Sequence, residues 1–219
     1  MMQPYQIDLF RMSMFLVACM FAGAVPSAWR LRDVQGPASL IVGFVAMVLM
    51  TFGVVIAAGT DNVLCIAAAC VLFGAAQGTV IGPFVAAVTT GKRRAAEAVV
   101  LTIGLVAFSA VLAAGFAMFS GFNMQSLGGI LFLLLILLLV ATIAWVFVRQ
   151  DRIRELIFAA LASALWMVYL IYDFNAIAYR YTEANWKAAA EIAMNVYLDM
   201  LNLFIRLLPY IVDLLDALD

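Results

Sequence analysis

Seven apolar stretches, each close to the roughly 20 residues a helix needs to cross a bilayer, constrain this 219-residue chain more than any other feature. They run over residues 12–29, 38–58, 63–88, 95–119, 125–148, 156–179 and 188–208, and the fifth contains the apolar run Ile130 to Val140. Hydrophobic residues make up 68% of the chain and charged residues 11%, where a soluble domain carries about 25% charged. Too few polar side chains remain to cover a water-facing surface. The expected fold is therefore an all-α membrane protein, a seven-transmembrane helical bundle forming a single integral membrane domain over 1–219. Its partner is the lipid bilayer, with no basic run suited to nucleic acid.

Turn and charge signals punctuate the stretches. Ala24 to Ala28 has the small residues of a signal-peptidase site, but Pro26 stands at the −3 position and further apolar segments follow, so the first stretch reads as a membrane helix. Trp29 to Asp33 forms an interfacial loop, Gly59 to Asn62 a turn, and Thr90 to Arg94 a basic loop. The third stretch carries Gly74, Gly78 and Gly82, then Pro83. Glycines four apart share one helix face and admit a close neighbour. Two readings follow: a packing seam with a proline kink, or a break that lines a cavity. Beyond Pro209 the acidic tail with Asp213, Asp216 and Asp219 reads as a frayed amphipathic helix.

Lys and Arg set the expected orientation. Arg30, Arg32, Lys92, Arg93, Arg94, Arg149, Arg152 and Arg154 fall in the loops after the first, third and fifth stretches, eight against the three of Arg11, Arg180 and Lys187. That count puts the first group in the cytoplasm and the N-terminus outside.

The chain has no histidine, which removes His-based triads, haem ligation and most zinc sites. Cys19, Cys65 and Cys70 are odd in number, lack metal-ligand spacing and read as buried packing residues. Acid–base chemistry is left to carboxylates. Charges in a bilayer are costly and tend to face the protein interior. In the seventh stretch Glu191, Asn195, Asp199, Asn202 and Arg206 follow one another at steps of four, four, three and four, which gathers them on one helix face. Asp173 lies in the sixth stretch with Tyr169 one turn before it. The sixth and seventh are antiparallel neighbours, and the two carboxyls approach if the sixth helix extends or the connection dips into the membrane. If they meet in low dielectric, double ionisation is strongly disfavoured and they share a proton. Losing that proton favours their separation, and a hard cation such as Ca²⁺ can enter among the oxygens. Asn175, Asn195 and Asn202 are the candidate neutral ligands. The bland alternative is a structural ion pair of Asp173 or Asp199 with Arg206.

The segment Tyr172, Asp173, Phe174, Asn175 to Ile177, together with Tyr197 to Ile205 around Asp199, resembles the transmembrane Bax-inhibitor-motif family of Bax inhibitor-1-like proteins. Weaker matches are Gln125 to Gly129 and Gly78 to Pro83. The resemblance implies seven helices around a central C-terminal helix and a pH-sensitive calcium leak. It implies that Asp173 and Asp199 form a proton-sharing gate. It also implies a bacterial cytoplasmic (inner) membrane and, for some relatives, a link to a membrane protease or to stress responses. Relatives can offer an arginine at the end of the second span as partner to one aspartate. Here that region has only Asp61, and Arg206 is the substitute. Relatives are drawn with the N-terminus in the cytosol, opposite to the charge count above.

The leading expectation is a non-enzymatic pH-sensitive cation channel or leak, with Ca²⁺ as the transported or bound ion at Asp173 and Asp199. No other cofactor is expected, and a monomer is favoured. An interaction reading is a non-conducting regulator that binds another membrane protein or a protease through the glycine seam. An enzymatic reading is an aspartyl intramembrane protease, which also sets one aspartate on each of two adjacent spans. That class carries Gly-x-Gly-Asp, whereas Val196, Tyr197 and Leu198 precede Asp199.

Overall fold

The computed structural model describes residues 3–31, 37–145 and 152–218. Among these, all regular elements are helical: α1 (Pro4–Leu31), α2 (Pro37–Ala58), α3 (Val63–Thr89), α4 (Ala95–Phe119), a 3-10 turn (Gln125–Leu127), α5 (Gly128–Trp145), α6 (Arg152–Tyr179) and α7 (Trp186–Asp216). Five of the helices, α1, α3, α4, α5 and α6, are long and apolar enough to cross a membrane. The chain is a multi-pass membrane protein of the all-α class. Arg32, Asp33, Val148, Arg149 and Asp151 lie outside the described residues.

Local chemistry sets most boundaries. The Asn62 side chain accepts hydrogen bonds from the Leu64 and Cys65 N–H groups at 3.0 and 3.3 Å, which caps the start of α3. The Asn185 side chain does the same for α7 through the Ala188 N–H at 2.8 Å. Gly91 and Gly121 take positive φ values of 77° and 68° just beyond α3 and α4, a conformation that glycine adopts without strain.

Two boundaries differ from the sequence reading, the start of α1 and the end of α7. α1 begins at Pro4, eight residues before the expected start, because the first turns bury Gln6 and Leu9. α7 continues through Pro209 to Asp216 as ordered helix rather than fraying there, with Val212 and Leu215 buried. α3 keeps its expected extent and runs through Pro83 to Thr89 without a break. Helices buried among other helices tolerate proline because their packing holds the ladder on either side.

The helices gather into two compact units. The first comprises Met1–Lys92 with Tyr181–Tyr197, the second Arg93–Arg180 with Leu198–Asp219. α7 is thus divided, its first twelve residues belonging to one unit and the remainder to the other.

In the first unit, α1 and α3 meet backbone to backbone. A Cβ on Gly74 would fall on the Met20 backbone, one on Gly78 on the Ala24 carbonyl, and one on Gly82 on the Ala28 backbone. The register advances by four residues on each helix, so α1 and α3 run parallel, and α2 packs on α3. Gly23 on α1 is equally close to the Val71 carbonyl. The glycine stripe is a packing seam, filled from within the chain. Tyr197 is fully buried beside it, edge-on to Phe21 and Phe73 with ring centroids 5.0 and 5.9 Å away. Of the cysteines, Cys70 is buried as expected, but Cys65 is exposed on the outer surface of α3.

Replacing Gly78 with valine forces the α1 and α3 backbones apart and is expected to cost about 3 kcal/mol or more, the upper range for an overpacked core. Gly104→Ala on α4, where a Cβ meets nothing within 4 Å, is expected to stay within about 0.5 kcal/mol. Thermal unfolding of the two variants in detergent checks the contrast.

Candidate functional site: a buried carboxyl pair

All groups of this site lie in the second unit. Asp173 comes from the last two turns of α6 and Asp199 from α7. They are 7% and 4% exposed, and their side chains lie within hydrogen-bonding reach of each other. A hydrogen bond between two carboxyl groups needs a proton on one of them. The second oxygen of Asp199, Oδ2, is buried with no hydrogen-bond partner. Tyr169, one turn before Asp173, lies within electrostatic reach of both carboxyls. The structure therefore brings together the two residues that the sequence singles out, on adjacent helices and away from water.

The surroundings are apolar. Leu170, Phe174 and Ile177 on α6 and Leu201 and Leu203 on α7 are buried on either side. α7 buries residues around most of its circumference near Asp199, so Leu203 packs against protein, not lipid. Dense apolar packing lowers the local dielectric and magnifies any charge left on the pair.

Asn175 does something other than what the sequence suggests. It is completely buried, and its amide is occupied by the backbone where α4 passes to α5. Its Oδ1 accepts the Met124 N–H at 2.9 Å, while Nδ2 donates to the Phe122 carbonyl at 2.9 Å and the Ala117 carbonyl at 3.4 Å. One side chain thus satisfies three backbone groups that the irregular connection would otherwise leave without partners. These bonds direct the amide to the α4–α5 connection. The adjacent Tyr172 reinforces the same joint. Its carbonyl accepts from Gln125 Nε2 at 2.9 Å, and its hydroxyl occupies the space a Cβ on Gly128 would need. The Gln125 to Gly129 stretch is therefore the receiving surface for α6.

Arg206 is also directed elsewhere. Its Nη2 donates to Thr142 Oγ1 on α5 at 3.4 Å, and its guanidinium lies over the Phe158 ring at 5.5 Å from the centroid. Phe158 precedes Asp173 by fifteen residues, about 22 Å of helix at 1.5 Å per residue. Arg206 is thus no ion-pair partner for the carboxyls. Asn202, half-buried, donates back to the Leu198 carbonyl of its own helix at 2.9 Å. Glu191 and Asn195 are half-buried on the part of α7 that belongs to the first unit. The stripe of five is divided between the two units.

Several groups escaped the sequence reading. Thr142 was hidden in an apolar run, where a lone hydroxyl is the available signal. Ser163 Oγ and Trp166 Nε1 on α6 are buried without hydrogen-bond partners, and nothing in their spacing alone marks them. Among the described residues, no three His, Cys, Asp or Glu side chains gather closely enough to hold a metal ion. Two carboxyl groups fall short of the six to eight oxygens of a resident Ca²⁺. The pair is suited to holding a proton between its two carboxyls.

Comparison with known proteins agrees with this architecture. The profile of the family described as "Inhibitor of apoptosis-promoting Bax1" matches residues 8–213. Protein LIFEGUARD 1 of Arabidopsis thaliana is 31% identical over 115 residues, 52% of this chain and 47% of that protein. Protein LIFEGUARD 4 of the same plant is 32% identical over 122 residues, 56% and 47% of the two chains. Bax inhibitor 1 of Schizosaccharomyces pombe is 30% identical over 137 residues, 63% and 48%. The chain spans about half the length of these curated relatives.

Asn175→Ala would leave the buried Met124 N–H and the part-buried Phe122 carbonyl unpaired. The expected cost is about 3 kcal/mol, from roughly 1–3 kcal/mol per stranded group. Hydrogen exchange should accelerate selectively over residues 120–127, and a uniform change across the chain would contradict the clamp.

Proposed function

Since the chain belongs to the family of the inhibitor of apoptosis-promoting Bax1, we propose that it is a pH-sensitive cation leak, with Ca²⁺ as the ion and Asp173 with Asp199 as the gate. The observation that carries this reading is the contact between two nearly solvent-free carboxyls with one oxygen of Asp199 unsatisfied. With one proton shared, the contact is attractive and holds α6 against α7. With none, two negative charges face each other in low dielectric and repel strongly. Separation then admits water to the polar face of α7. The exposed carboxylates attract a hard cation, which crosses without settling, since the other ligands of a tight site are missing. Low pH therefore shuts the path and rising pH opens it. The sequence resemblance supplies the setting, a bacterial cytoplasmic membrane.

The regulator reading loses its proposed surface, because α1 covers Gly74, Gly78 and Gly82. The protease reading shares the proton-sharing pair of aspartates, and cleavage of a membrane substrate that either aspartate variant abolished would favour it over a leak.

The test is Ca²⁺ flux into proteoliposomes containing the full chain, measured across pH. The wild-type rate is expected to climb as pH rises through the titration of the pair. Asp173→Asn and Asp199→Asn keep the shape and a hydrogen bond without the titration. Each should flatten the profile and lower the alkaline rate about tenfold, the equivalent of ~1.4 kcal/mol. Profiles identical to wild type would remove both residues from the mechanism.

A further inference from the structure

Arg206 shares the Asp199 face of α7. Residues 199, 202, 206 and 210 follow at steps of three, four and four, so the arginine lies two turns beyond the carboxyl, about 10 Å along the axis. An arginine packed between membrane helices is costly unless its charge has a task or a counter-charge. Here the recorded partners are a neutral hydroxyl, Thr142 Oγ1 at 3.4 Å, and the face of Phe158. Among the described residues no carboxylate is in ion-pair contact with it. The turn that follows is fastened: the Tyr210 hydroxyl donates to the Glu155 carbonyl at 2.9 Å. Glu155 and Asp213 lie within electrostatic reach of Tyr210, and neither pairs with the guanidinium. Contacts to α5, to α6 and through the next turn of α7 thus hold a positive charge where the three helices converge.

We propose that Arg206 is a fixed charge barrier in the conduction path, a specificity-determining residue that holds back divalent cations more than monovalent ones. The inference rests on the leak reading above, with α7's polar face as the path. The carboxyl pair would decide when the path opens. The arginine would decide how fast each ion crosses, whatever the state of the pair. A unit positive charge repels Ca²⁺ with twice the energy it exerts on K⁺ at the same distance. A barrier that slows K⁺ by some factor slows Ca²⁺ by the square of that factor.

Initial rates of Ca²⁺ and K⁺ entry into proteoliposomes of the full chain, at one pH where the wild type conducts, test this. Arg206→Met removes the charge and keeps much of the volume. It is expected to raise K⁺ entry roughly twofold and Ca²⁺ entry roughly fourfold. Arg206→Gln, which keeps a donor for Thr142, should do the same and carries the test if the methionine variant fails to fold. Arg206→Lys retains the charge without the planar stack and should leave the Ca²⁺ to K⁺ ratio at its wild-type value. An unchanged ratio in the neutral variants, or a lysine variant that behaves like them, overturns the barrier while the leak stands. A wild type that passes neither ion overturns the leak itself.

Discussion

Two carboxyl groups withdrawn from water and facing each other are the constraint on which the rest of the second unit turns. Desolvating one such group is expensive, and desolvating two side by side is tolerable only while a proton joins them. The surrounding helices make that arrangement unavoidable. Both aspartates are nearly solvent-free, and Leu170, Phe174 and Ile177 on α6 and Leu201 and Leu203 on α7 are buried as well, so exposing either carboxyl requires the helices to move. The energetic state of the pair is thereby tied to the position of a helix. Side chains free to turn outward would relieve the repulsion locally and transmit nothing.

The two units differ in how they are built. The α1–α3 pair of the first unit is held by backbone contact along glycines, which leaves no freedom for sliding. The second unit is joined through side chains: Asn175 and Gln125 at one end, Arg206, Thr142, Tyr210 and Phe158 at the other. Contacts of this kind can break and reform individually. The titratable pair belongs to the unit with the adjustable joints.

Much of this was legible in the sequence because bilayer chemistry is so restrictive. The apolar segments located every helix, with ends off by as much as eight residues at the start of α1 and the end of α7, and an aspartate within each of the last two stretches stood out against the largely apolar sequence. The errors arose where tertiary contacts decide. Pro209 looks like a stop when only the local hydrogen-bond ladder is considered, yet packing carries α7 through it to Asp216. Asn175 looked like a ligand beside Asp173, although the residues that claim its amide, Ala117, Phe122 and Met124, are more than fifty positions away. Arg206 shared a face with Asp199, which suggested a pair. A long side chain can point along the axis, however, and this one reaches away toward Phe158.

Asn175 sits two residues from Asp173 and ties that end of α6 to the α4–α5 connection through three hydrogen bonds. On α7 the hydrogen bond to another helix that follows Asp199 is that of Arg206 to Thr142, seven residues on, while Asn202 donates back to its own helix. The two partners are therefore mechanically unequal. Asp173 sits two residues from its brace and Asp199 seven from the Arg206 contact, so a displacement that parts them falls more readily to the Asp199 segment of α7.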